Sequence, residues 1–253
     1  MTRAVRTELL KLRTIRLPLG LLGTAAGLTA LITTLGAARA GGSGHMAPPS
    51  LYTAAGQQDL FIRTTFGMLL AAVFGVTVAS GEFRHGTATA TYLATPNRTR
   101  VLIAKAVVAA GAGLLFGLVA AALTTGITLS FVAAKGYHVA LAGGTIARFA
   151  AGAILGSGLL AAAGAGVGSL LRGQLSAIIT VFVWGLVLEP LVGGLFDAVQ
   201  PYLPVTTATT MAGSALGGGV SPLPFAVAAA LVAGVAVLLA VVAGWTRVPN
   251  DVS

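Results

Sequence analysis

An ionisable side chain inside a long apolar run is the first place to look for chemistry, and this chain has essentially one. It is Glu189, followed by Pro190, in the stretch VLEPLVGG. A carboxylate there suits a polar element of a translocation path or a bond to a neighbouring helix. It equally suits a place near the outer membrane interface, paired with water or adjacent backbone. Catalysis would need a second group. His45, His85 and His138 fall outside the apolar runs, as do Asp59, Asp197 and Asp251. No metal cluster and no histidine-dependent intramembrane hydrolase is therefore expected. Gly156-Ser157-Gly158 has the outline of a serine elbow, but without a base it reads as small-residue packing. Cysteine is absent, which excludes disulfides, thiol catalysis and thiolate metal sites. The lysines are Lys11, Lys105 and Lys135, and none follows the glycines of a phosphate-binding loop. The expectation is no catalytic residue and no cofactor in this chain, with any nucleotide hydrolysis supplied by another one.

The elements that must position Glu189 follow from composition. Of 253 residues, 56% are hydrophobic and 8% charged, and the mean hydropathy is +0.94. A soluble domain carries about a quarter charged residues, so the bilayer must act as solvent here. Roughly 20 apolar residues cross a bilayer core. The uncharged runs predict six spans, at about 17–37, 62–81, 101–132, 146–170, 174–195 and 223–245. The third is long enough to project beyond the bilayer. The runs are continuous, without the alternation of barrel strands, so the fold class is all-α.

Lysine and arginine set the orientation. With the N-terminus in the cytoplasm, Arg3, Arg6, Lys11, Arg13, Arg16, Arg84, Arg98, Arg100, Lys105, Arg172 and Arg247 lie inside. Only Arg39, Arg63, Lys135 and Arg148 lie outside. Both termini are then cytoplasmic. The net charge of +9 is a topological fact, and no basic domain or stripe points to nucleic acid. Ala38-Arg39-Ala40 has the form of a signal-peptidase site. The apolar run before it is longer than a signal core, so retention is expected.

Residues 1–16 predict an amphipathic basic helix carrying Glu8, Lys11 and Arg13, held by anionic lipid or touching a cytoplasmic partner as well. The first outer loop, 41–60, is rich in Gly, Ser and Pro and reads as irregular. The segment 196–222 is too apolar for a free loop and too broken for a span. Short helices re-entering the outer leaflet suit it, with a plain outer loop as the other reading. The pairs Gly23/Gly27, Gly113/Gly117, Gly152/Gly156 and Gly164/Gly168 have the GxxxG spacing of close helix packing. No internal repeat is apparent, which weakens a transporter built on inverted repeats.

The stretch Gly81–Arg100, GEFRHGTATATYLATPNRTR, is a polar basic insertion between two apolar runs. With TELLKLRTIR at the N-terminus, SGEFRHGTATATYLATPNRTRVLIAK after span two, and the later VLEPLV and PYLPVTTATTMAG, the chain resembles an ABC-2 type permease, the membrane subunit of bacterial, here actinobacterial, ABC exporters. The resemblance covers the whole chain, and 81–100 carries most of its specificity. It implies that residues 1–16 form a connecting helix and that about Glu82 to Ala94 form a coupling helix seated in a groove of the ATPase. Phe83, Tyr92 and Leu93 would fill the groove, Arg84, His85 and Arg98 would meet its acidic rim, and Glu82 and Thr87 would complete that interface. The other reading is that these residues contact only lipid headgroups.

The function expected is the transmembrane subunit of an ATP-driven exporter in the bacterial cytoplasmic membrane, moving an amphipathic or hydrophobic substrate such as a drug, lipid or peptide. Its partners would be two copies of an ATPase that binds ATP and magnesium, and a second permease copy as homodimer or heterodimer. The alternatives are an ion-coupled secondary transporter and a non-transporting membrane assembly protein.

Overall fold

The computed structural model describes residues 5–10, 17–42, 48–84, 98–171, 173–216 and 219–247, with backbone alone at 82–84, 98–100 and 247. Among these every regular element is helical. Six helices are long and apolar enough to cross a membrane: Leu17–Arg39, Ala54–Gly81, Val101–Ala134, Gly143–Leu170, Gln174–Leu195 and Phe225–Thr246. The all-helical, six-span expectation holds at that level. In lipid a helix satisfies its own backbone groups, which is why uninterrupted Ala, Leu, Val and Gly runs take this form.

We label the helices α1 (Leu17–Arg39), α2 (Ala54–Ile62), α3 (Thr65–Arg84), α4 (Arg98–Ala134), α5 (Gly143–Leu170), α6 (Gln174–Val183), α7 (Glu189–Leu195), α8 (Pro204–Met211) and α9 (Phe225–Arg247). Residues 5–10 form a further helical turn and a half. The second span is α2 and α3 joined at Arg63-Thr64. There the hydroxyls of Thr64 and Thr65 donate to the carbonyls of Phe61 and Ile62 at 2.8 and 2.6 Å, competing with the helical ladder. This span starts earlier than hydropathy suggested. Thr53 caps it by accepting the Gly56 N–H at 3.1 Å, so the part of 41–60 from Ala54 onward is helical rather than irregular.

Helix α5 is the central post. It packs on α3, α4, α8 and α9, and the close approaches are made by glycine. A Cβ at Gly164 would run into the Ala72 carbonyl of α3, and one at Gly113 or Gly117 into the α5 backbone at Ser157 or Ala153. One at Gly152 would strike the Met211 carbonyl of α8. Three of the four GxxxG pairs thus sit in helix contacts, as small-residue packing in lipid requires. The fourth does not: among the described residues nothing beyond its own helix lies within 4 Å of a Cβ at Gly23 or Gly27. Ser157 is fully buried among these contacts, consistent with packing.

At one end of the bundle α3 ends and α4 begins, and α9 ends beside them, with Gly244 facing Leu102. We call this the basal end. The opposite end is sewn together by Gln57 of α2. Its amide nitrogen donates to the carbonyls of Leu51 and His138, each at 3.0 Å, and its oxygen accepts the N–H groups of Ala140 and Leu141. Tyr52 meets the rings of Tyr137 and His138 edge-on. Asp59, expected in a loop, is on α2 and pairs with Arg63 at 2.7 Å.

Candidate functional site

Glu189 sits at a defect in the fifth span. Pro190 has no N–H to donate and its ring crowds the preceding turn. The chain answers with a π-turn over Trp184–Leu188, in which the Glu189 N–H reaches back five residues to the Trp184 carbonyl. Wider turns of this kind bring residues five apart onto one face. The Trp184 indole N–H accordingly donates to Glu189 Oε1 at 2.6 Å.

The rest of the carboxylate is spent on α8. Oε1 accepts the Val205 N–H at 2.9 Å, and Oε2 accepts the Thr206 N–H at 2.8 Å and the Thr206 hydroxyl at 3.0 Å. These amides belong to the first turn of α8, which has no intrahelical acceptor for them. A negative charge there also complements the helix dipole. Leu203, the residue before α8, cannot cap it with its own side chain, and Glu189 does so from across the chain. The carboxylate is 1% exposed, and four donors account for most of its lone-pair capacity. Its geometry is that of a tie between the fifth span and α8.

Helix α8 lies well inside the bundle. Val205 shares a buried cluster with Met68, Leu69, Leu160 and Val232, and Ala208 and Met211 press on Gly156 and Gly152 of α5. Leu160 lies about 25 Å along α5 from Gly143 at 1.5 Å per residue. The Thr207 hydroxyl holds the entry to α8 by donating to the Pro201 carbonyl at 2.7 Å.

A second polar junction occupies the basal end. Lys105 Nζ of α4 lies 3.7 Å from Glu8 Oε2 and donates to the Val78 carbonyl of α3 at 3.3 Å. Both charged residues are buried, Lys105 to 2% exposure and Glu8 to 6%. The N-terminal helical segment is therefore tied to the third span at Glu8, while Leu9 and Leu10 stay exposed.

Of the other residues singled out in the sequence, the backbone of Glu82, Phe83 and Arg84 continues α3 and Arg98 opens α4. His85, Thr87, Tyr92 and Leu93 lie outside the described residues, as do Lys11 and Arg13. Glu82 lies on α3 just past the apolar span, at the start of the stretch that the resemblance implied as coupling helix. The structure brings together Glu8 with Lys105 and Glu189 with α8. Among the described residues no group of His, Asp and Glu is arranged to hold a metal ion. Trp184, Thr206 and Gln57 were missed from sequence. The Thr53 cap signal before AGQQDLF would have flagged Gln57 as helical.

The chain matches no protein-family model and no curated protein.

Proposed function

We propose that this chain is the membrane permease subunit of an ATP-driven exporter of the ABC-2 type, carrying an amphipathic or hydrophobic substrate out of the cytoplasm. The observation that carries the reading is the buried Glu8–Lys105 junction, with the Val78 carbonyl beside it. It gathers the N-terminal helix, the second span and the third span at the root of the 85–97 segment. A partner that pushes on this segment would move three elements together. Helix α4, the third span, supports the same picture. At 37 residues it is about 55 Å long, against a hydrocarbon core of about 30 Å, so it extends past the membrane toward a partner.

In this reading the chain does no covalent chemistry. ATP and magnesium are bound by two copies of a separate ATPase, which engages Glu82, Phe83, Arg84, His85, Thr87, Tyr92, Leu93 and Arg98. Both termini face the cytoplasm, and nucleotide-driven motion shifts the spans between inward- and outward-facing arrangements. The segment around α8 is a re-entrant outer element, supported by its contacts along half of α5, and Glu189 holds it to the fifth span beside the path. A second permease copy completes the pathway. The open face at Gly23 and Gly27 and the largely uncovered first and fifth spans suit such a copy.

An ion-coupled transporter would want a carboxylate free to exchange its proton or cation, and the Glu189 oxygens are already taken by four donors. Reconstitution separates the two. The exporter reading expects substrate flux that needs ATP and the co-purified ATPase, whereas flux driven by a pH gradient through the chain alone would overturn it.

A further inference from the structure

Helices α4 and α9 both pack on α5 but touch each other only lightly. Between them, at the basal end, lies a groove of about 800 Å³. Its walls are Leu102, Ala106 and Ala110 of α4 and Ala240 and Trp245 of α9, over Ala162 of α5. Every one of these side chains is apolar but for the indole N–H. Val107 and Val237, which also line it, are exposed at its rim.

Its length is informative. Leu102 to Ala110 and Ala236 to Trp245 each cover about 12–14 Å at 1.5 Å per residue. That is close to half of a hydrocarbon core of about 30 Å, the reach of acyl chains from a single leaflet. The volume lies in the range of ordinary ligand pockets. Trp245, largely exposed at the groove's mouth, is the residue type that settles at the headgroup level. The helix ends there are cationic in sequence: Arg98 and Arg100 open α4 just before Leu102, and Arg247 closes α9 just after Trp245.

We propose that this groove holds one anionic phospholipid, its acyl chains between α4 and α9 and its phosphate at the basal end, where Arg98, Arg100 and Arg247 stand on the backbone at the helix ends. The lipid completes the packing of α9, which is covered by protein on only one side. Assigning it to the cytoplasmic leaflet rests on the orientation proposed above, but the groove requires only this chain, so the test needs no ATPase.

Trp184 and Trp245 are the two tryptophans. In a Trp184→Phe background, the chain is placed in phosphatidylcholine vesicles containing a small fraction of lipid brominated on its acyl chains. Brominated phosphatidylglycerol is expected to quench Trp245 several-fold more than brominated phosphatidylcholine at the same fraction. Ala240→Phe, which fills the groove, is expected to abolish the difference. Equal quenching by the two lipids, absence of quenching because a second copy covers the groove, or a difference untouched by Ala240→Phe would overturn the proposal. Should Trp184→Phe fail to fold, native mass spectrometry of the unsubstituted chain decides. One retained phosphatidylglycerol, lost in Ala240→Phe, is expected; none retained, or one kept in the variant, rejects the site.

Discussion

Glu189 and Thr206 are joined twice: the amide and the hydroxyl of Thr206 both donate to the same carboxylate oxygen, at 2.8 and 3.0 Å. A side chain of one membrane span thereby caps a short helix that begins in the middle of the bundle. Glu189→Ala would leave the buried Val205 amide and the half-buried Thr206 amide without an acceptor. The expected loss is on the order of 3 kcal/mol, read as a lower unfolding midpoint in detergent. In a Trp245→Phe background the same substitution should shift Trp184 emission, because the indole loses its partner. An unchanged midpoint and spectrum would mean that the carboxylate is not the cap.

Lys105→Met would take from the buried Glu8 carboxylate the ammonium group that lies 3.7 Å away. Breaking a buried pair in this way costs about 3–5 kcal/mol. The double variant Glu8→Gln with Lys105→Met should recover part of that loss, since both members of the pair are then neutral. Because the chain has no cysteine, Glu8→Cys with Lys105→Cys should also be joined by a short bifunctional thiol reagent. Failure to cross-link in a folded protein would separate the N-terminal helix from the third span.

Much of this was legible in the sequence, and the losses have physical causes. Hydropathy located six spans because a lipid environment imposes length and neutrality on each one. It placed the start of the second span too late. Thr53, Gln57 and Asp59 are polar, and their partners are the helix cap, the loop backbone and Arg63. Glu189 stood out as a charge in an apolar run, but its partners at 205 and 206 lie beyond a proline-broken turn. Only the folded α8 brings them within reach. The tie between Glu8 and Lys105 joins residues almost a hundred positions apart, with no local pattern to announce it. The GxxxG pairs were visible, yet spacing alone did not distinguish Gly164, wedged on Ala72, from Gly23, which meets no other helix among the described residues.

That contrast predicts opposite outcomes for similar substitutions. Gly164→Val forces α3 and α5 apart at the backbone and should cost about 3 kcal/mol or more, seen as a collapse of the thermal midpoint. Gly23→Val meets open space and should leave the midpoint of the isolated chain within about 0.5 kcal/mol of the original. Any effect of Gly23→Val should appear only in the oligomeric state.

Gln57→Leu removes four hydrogen bonds at the end opposite the basal one. The amides of Ala140 and Leu141 should then exchange with deuterium at least tenfold faster, while those of α5 stay protected. Unchanged exchange at Ala140 and Leu141 would show that the loop is held by its own turns.

The central claim is that an external ATPase drives this chain through the segment after the second span. The most direct measurement is affinity purification of the tagged chain from its native membrane in mild detergent. An ATP-binding subunit should accompany it in stoichiometric amount and be lost on Glu82→Lys or Arg84→Glu, with the fold of the chain intact. Recovery of the chain without any ATP-binding partner, or a partner indifferent to both substitutions, would contradict the account.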